Sequence, residues 1–327
     1  MEIITSNQLD GQMIEEENVV QTTNTNFIEA NTKKVTLEHL EKDCIIPVFA
    51  KDNESTISHF QFIQKTREIA QELFPDLEVA EPEIRTSHII KGRIPSAIGK
   101  PAKELKDHEK TLYYERCAFT IEIPSIVENV NGNKLALTLG GVRAYNQENL
   151  FSKKSPEKFK LFIGFKNMVC TNLCISTDGL ADEIRVNSLH QLQDAVENLL
   201  RNYDRETHLG LLSRMGRYVL SQAQFAHFIG KLRMFQFMPK NEQKSYFPVG
   251  LNDGQINSVV KNYYHCRNFS CAKDGSIDLW KLYNLFTEAN KSSYIDNNFE
   301  RNVNAYELTN NLVNSLQNKS QNWFLQH

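Results

Sequence analysis

The chain has 327 residues, 40% of them hydrophobic and 24% charged, with a net charge of −3 and six cysteines. That length buries one large core or two smaller ones, and the charge excludes an overall attraction to nucleic acid or to a membrane. No apolar run reaches the ~20 residues that cross a bilayer, and the first twenty residues lack the basic start and apolar run of an export signal, so a cytoplasmic protein with free thiols is expected.

In chain order, residues 1–34 hold six acids against Lys33 and Lys34 and show neither helical nor strand periodicity. A disordered acidic tail is expected, because so polar a segment buries too little to offset its ordering entropy. Residues 35–205 read as a β-rich core with flanking helices, and residues 206–327 as a mainly helical part packed on it. The stretch TISHFQFIQKTREIAQELFPDL predicts a helix, with Phe60, Ile63, Ile69 and Leu73 on one stripe and Pro75 as its stop. RTSHIIKGRIP and CAFTIEIPSIVENVNGNKLALTLGGVRAY read as strands, the second folding back at NVNGNK, where Asn-Gly accepts positive φ at little cost. A Lys-rich loop, NQENLFSKKSPE, then leads to the strand KFKLFIGFKNMVCTNLCIS.

Past Asn187 the period lengthens. Leu189, Leu192, Val196, Leu199 and Tyr203 fall at helical spacing, with Asn187 or Ser188 as N-cap. Ser221 and Gln224 have capping-box spacing and open a helix carrying Phe225, Phe228, Ile229, Leu232 and Phe235 up to Pro239. Further helices are expected at NDGQINSVVKNYYH, SIDLWKLYNLFTEANK and ERNVNAYELTNNLVNSLQN. Strands first and helices afterwards give an α+β fold, with antiparallel strands in a β-rich central part and a helical C-terminal part.

Two features bear on chemistry. Both alternations along residues 159–170 are apolar, which predicts a buried strand running through Cys170. Cys170 and Cys174 with Cys266, Cys271 and His265 have zinc-like spacing, but Met, Val, Leu and Ile surround the first pair, and buried thiols are common core residues. A nucleophilic Cys170 would need a histidine that the sequence does not single out. TLGGVRAY has neither phosphate-loop nor dinucleotide spacing, so its paired glycines read as a bulge or tight bend. Neither a metal nor a cofactor is expected.

The second feature is charge. From Thr207 to Asn241 there is no Asp or Glu, while Arg214, Arg217, Lys231, Arg233 and Lys240 are present among Tyr218, Phe225, Phe228, Phe235 and Phe237. Residues 151–166 add Lys153, Lys154, Lys158, Lys160 and Lys166 against Glu157. If the two stretches converge they form a basic surface with aromatics, the means by which single strands are gripped. Phe225, Phe228 and Phe235 also fit a core stripe, which leaves Tyr218 as the aromatic free to stack.

GGVRAYNQENLFSKKS, FKNMVCTNLCIS and IDLWKLYNLFTEANK follow in that order, and over residues 85–320 the chain resembles the phage/plasmid-like protein family of unknown function, in particular its relatives on mobile elements of anaerobic gut bacteria. Asn146 falls at the family's first turn, Val169, Cys170, Asn172 and Leu173 at its strand, and Trp280, Asn284, Thr287 and Glu288 at its helix. Gln147 and Glu148 depart from the family's pattern, which weakens a catalytic or metal role for that turn. The resemblance implies a mobile-element setting but no activity. Asn146, Asn172 and Asn284 are expected to share a polar network that specifies the fold or forms a small site. The expected function is a non-enzymatic accessory factor that binds nucleic acid, DNA and single strands in particular. The alternatives are an enzyme on nucleic acid or nucleotides using Asn146, Asn172 and nearby acids, and a protein adaptor presenting helices 221–238 and 301–317.

Overall fold

The structure is a computed structural model that describes residues 26–44, 56–147 and 156–325. Its first segment carries β1 (Lys33–Val35) and α1 (Leu37–Lys42), the latter capped by the Thr36 hydroxyl, which accepts from the His39 amide at 3.2 Å. In the second, Ser58 and Gln61 form a capping box for α2 (His59–Leu73), which buries Phe62, Ile63, Ile69 and Ala70. The strands β2 (Glu83–Thr86), β3 (Ile89–Arg93), β4 (Lys110–Tyr114), β5 (Arg116–Val130) and β6 (Asn133–Ala144) follow.

The third segment holds β7 (Glu157–Asn167), β8 (Leu173–Cys174) and β9 (Leu180–Val186). Helices then dominate: α3 (Leu189–Asn202), α4 (Arg205–Met215), α5 (Gln222–Phe237), α6 (Lys240–Gln243), α7 (Asp253–His265), α8 (Leu279–Asn290) and α9 (Asn298–Asn318). Two short strands, β10 (Val219–Leu220) and β11 (Ile277–Asp278), pair within this helical part. The fold is α+β.

Its centre is an antiparallel sheet in the order β1-β2-β5-β6-β7-β8, with β9 also on β7. The β5–β6 hairpin turns at Asn131 and Gly132, whose φ values of 50° and 81° match a two-residue Asn-Gly turn. Register is continuous through Gly140 and Gly141 and β6 runs unbroken across them, so these glycines are neither the bulge nor the tight bend expected of them. They permit close approach instead: a Cβ on Gly140 would lie 2.1 Å from the Phe119 carbonyl oxygen, and one on Gly141 2.5 Å from the Phe62 ring. The irregularity falls between Ile123 and Val127, where Pro124 cannot donate to the ladder.

One face of the sheet presents Ile84, Phe119, Ile121, Leu137, Leu139, Phe159, Ile163 and Phe165 to the main core, together with α2 and side chains from α4, α5, α7, α8 and α9. The other face is mixed. Ala118, Val142 and Phe162 join Phe299, Phe27 and Ile28 in a second core, and beside them stand Glu83, Arg85, Thr120, Glu122, Thr138 and Lys166.

Residues 26–34, expected within a loose tail, are packed. Phe27 and Ile28 are buried, the amides of Glu29 and Ala30 donate to the Lys291 carbonyl at 2.8 and 3.2 Å, and β1 pairs with β2. Two adjacent apolar side chains and a strand edge outweigh the polar composition around them. The strand expected to run through Cys170 ends at Asn167. There the chain turns, with Thr171 at φ +59° and its amide donating to the Asn167 carbonyl at 2.7 Å.

Candidate nucleic-acid interface

The basic residues expected to converge do not form one surface. Lys160 ion-pairs with Glu300 and donates to the Asp296 carbonyl at 2.6 Å, at the start of α9. Arg214 donates to the Asn314 and Gln317 side chains near the end of α9 at 3.0 and 2.6 Å. Fourteen residues separate Glu300 from Asn314, about 21 Å at 1.5 Å per residue. Lys166 is 7% exposed and bridges Glu122 at 2.8 Å and Glu83 at 3.0 Å. Burial alone would lower its pKa, but the two carboxylates outweigh that and raise it. Arg233 pairs with Asp253, and the Lys231 ammonium sits 4.4 Å over the Trp323 ring. Arg217 is exposed, Tyr218 half-buried, and the Tyr218 carbonyl accepts from the Leu279 amide at 2.9 Å. Lys158 is half-buried. Lys153 and Lys154 lie outside the described residues.

The aromatics between those basic residues are mostly structural. Phe225 stacks on Tyr263 at 4.0 Å, and Phe228 and Phe235 pack against Phe324. Phe237 is the exception, at 83% exposed.

The three motif asparagines divide. The Asn172 amide donates to the Asn284 carbonyl at 3.0 Å, and the Asn284 side chain accepts from Asn167 at 3.1 Å and donates to the Trp280 carbonyl at 2.9 Å. Asn167 is therefore the third member of this buried network. Asn146 sits exposed on the turn after β6, so the residues invoked for an enzyme lie in different environments. Cys170 lies against the network, its sulfur 3.9 Å from the Asn284 side-chain oxygen. Burial pushes its thiol up to about 12, against the nearby Lys291. Burial likewise raises Cys174 and Cys117, so all three stay protonated at neutral pH and are poor nucleophiles. Among the described residues no group of three His, Cys, Asp or Glu side chains is arranged to hold a metal.

The element that does gather unbalanced charge is one without a signature motif. Among the described residues, strands β3 and β4 pair only with each other, from Ile89–Tyr114 at the base to Arg93–Lys110 at the far end, and residues 94–109 close them. Residues 91–110 contain Lys91, Arg93, Lys100, Lys103, Lys106 and Lys110 against Glu104, Asp107 and Glu109. Lys100 pairs with Glu109, and Lys110 with Asp107 at 2.8 Å. Lys91, Lys103 and Lys106 are exposed and have no ion-pair partner among the described residues. A cavity of about 610 Å³ lies against the arm, with Leu105 and Leu112 in its wall and Lys91, Arg93, Lys110 and Asp43 around it. Twenty residues with twice as many bases as acids were the available signal.

The arm leaves the sheet where β5 begins. There the Ser87 amide donates to the Arg116 carbonyl at 3.0 Å, and Arg116 is paired with Ala144. At the same end β6 finishes at Ala144 and β7 starts at Glu157, with Lys158 and Lys160 near its start. Buried Arg143 stiffens this end. Its guanidinium lies 4.5 Å from the Tyr145 and Phe159 ring centres, pairs with Glu157 and donates to the Ile57 carbonyl. Glu157 in turn accepts from the Ile57 amide at 3.0 Å. His59 rests on Tyr145 with ring centres 4.4 Å apart, and burial together with Arg143 pushes its pKa down to about 3. The arm thus rises from a rigid base, as a positioned binding element requires.

No helix among the described residues is long and apolar enough to cross a membrane. The family model described as "Domain of unknown function, B. Theta Gene description (DUF3871)" matches residues 8–325. No curated protein and no solved structure matches the chain.

Proposed function

The chain belongs to this family of unknown function, and on that footing we propose that it is a non-enzymatic nucleic-acid-binding accessory factor whose phosphate-gripping element is the β3–β4 arm. The observation that carries the reading is the arm's charge. Six basic residues face three acids in a chain whose net charge is −3, and Lys91, Lys103 and Lys106 are exposed, with no ion partner among the described residues. Local positive charge of this kind neutralises phosphates and releases their counterions, and a two-stranded ribbon is an established shape for entering a groove. A phage or plasmid setting rests on the motif resemblance alone and would supply DNA to handle.

Fluorescence polarisation of labelled oligonucleotides across a salt series tests the proposal. Replacing Lys91, Lys103 and Lys106 with Glu should weaken binding of every sequence and flatten the salt slope by about 0.9 for each duplex phosphate no longer neutralised. Micromolar protein leaving polarisation unchanged at low salt would overturn it. A second reading, a protein adaptor, rests on Met234 and Phe237, 59% and 83% exposed near the end of α5. Salt-insensitive capture of a protein partner, abolished by Phe237→Asp, would support that reading instead.

A further inference from the structure

We infer that the arm's ligand is double-stranded DNA, bent where Ile98 enters between two base steps. The inference rests on the nucleic-acid reading and specifies it. Sites for single strands stack bases on aromatic rings, yet residues 91–110 contain no Phe, Tyr or Trp, and the two tyrosines at the arm's base, Tyr113 and Tyr114, pack on Tyr145 and His39. What the arm offers is a basic two-stranded ribbon closed by a loop with one large apolar side chain pointing outward, Ile98, 66% exposed.

That loop is built to hold Ile98 in place. The adjacent Ala97 is fully buried, and its amide donates to the Ile94 carbonyl at 3.0 Å while its carbonyl accepts from the Lys100 amide at 3.2 Å. Glu109 ties the loop's two ends. Its carbonyl accepts from the Ile94 amide at 3.0 Å, and its carboxylate accepts from the Lys106 amide at 2.9 Å and pairs with Lys100. The Arg93 guanidinium closes the same ring by donating to the Lys100 carbonyl. Ile98 therefore projects from a hydrogen-bonded turn, with the exposed Lys103 and Lys106 in the same loop to take phosphates. Proteins that kink duplexes from the groove combine these parts: basic contacts to the backbone, and an apolar wedge such as Ile, Leu or Pro that unstacks a step and makes the bend.

The experiment uses the full chain and a duplex labelled at its two ends with a donor and an acceptor dye, with polarisation read on the same samples. Wild type should raise energy transfer on binding and should prefer duplex to a single strand of equal length. Ile98→Ala, an exposed change that leaves the melting temperature in place, should keep affinity within about threefold while losing most of the transfer change. The Lys91, Lys103 and Lys106 to Glu variant should lose binding and bending together. Binding without any transfer change, tighter binding of the single strand, or an Ile98→Ala variant that bends like wild type would each overturn the inference and leave the nucleic-acid reading standing. No binding of either form would overturn both.

Discussion

The side-chain amide of Asn172 donates to the backbone carbonyl of Asn284 at 3.0 Å, joining residues 112 apart in the chain. It fastens the turn after β7 to α8, and Lys291 completes the joint by donating to the Cys170 carbonyl and pairing with Glu288 at 2.8 Å. Replacing Asn284 removes the acceptor of the fully buried Asn167, and an orphaned buried donor carries its full desolvation penalty. Asn284→Ala should lower stability by about 2–4 kcal/mol, whereas exposed Asn146→Ala should stay within ~0.5 kcal/mol. Urea unfolding of the two variants checks this, and equal midpoints would refute the division of the motif asparagines.

Two buried histidines set an acid limit. Burial and Arg143 push His59 down to about 3, and burial, opposed by Asp178, pushes His208 down to about 4. Both are neutral in the folded chain at pH values where the unfolded chain, near 6.5, has taken up protons. Their contribution is complete above pH ~6.5 and is lost as pH falls toward 4, at up to ~1.4 kcal/mol per pH unit for each. The melting temperature should therefore fall steeply between pH 6.5 and 4.5. A His208→Gln variant should show a shallower fall, and a pH-independent melting temperature in that window would contradict the assignment.

Phe27 should matter more than its place in an acidic, polar stretch suggests. It is 1% exposed and packs in the second core with Phe162 and Phe299. Phe27→Ala should cost about 3–5 kcal/mol, and deleting residues 1–30 should lower the melting temperature because it removes Ile28 as well. Thermal unfolding of both variants provides the check.

The thiols should fall into classes. Cys117, Cys170 and Cys174 are buried, whereas Cys44, Cys266 and Cys271 are partly exposed. Burial and Asp43 also push Cys44 up to about 11, so it should react slowly with an aromatic disulfide reagent at pH 8 despite its partial exposure. The buried three should stay silent until denaturant is added. Six thiols reacting at one rate in the native protein would be inconsistent with this burial.

What could be read from the sequence was local. The capping box of Ser221 and Gln224, the cap at Ser188 and the turn at Asn131–Gly132 each depend on residues within four positions, and each forms as expected. The fate of the basic residues depended on distant partners. Lys160 is neutralised by Glu300 and Lys166 by Glu83 and Glu122, across 140, 83 and 44 residues, and no spacing rule reaches so far. The arm is hidden in the sequence for a related reason. Its strands are separated by residues 94–109 rather than by a short turn with Asn-Gly chemistry, so nothing local announces the pairing. Asn167 is equally inconspicuous, because it reads as the last residue of an apolar strand when it is the residue that ends it.

The bond from the Glu29 amide to the Lys291 carbonyl, 2.8 Å long, also sets a schedule for the ribosome. About 260 residues lie between its ends, and at ~5–20 residues per second the acceptor is synthesised roughly 13–50 s after the donor. Phe27 and Ile28 must wait still longer for Phe299, their neighbour in the second core. The first described segment therefore docks in stages, β1 onto β2 early and the Glu29 and Ala30 amides only after α8 is made. A chain released before residue 299 keeps Ala118, Val142 and Phe162 around Phe27 and Ile28 but lacks Phe299, so premature termination leaves the second core incompletely covered and open to aggregation.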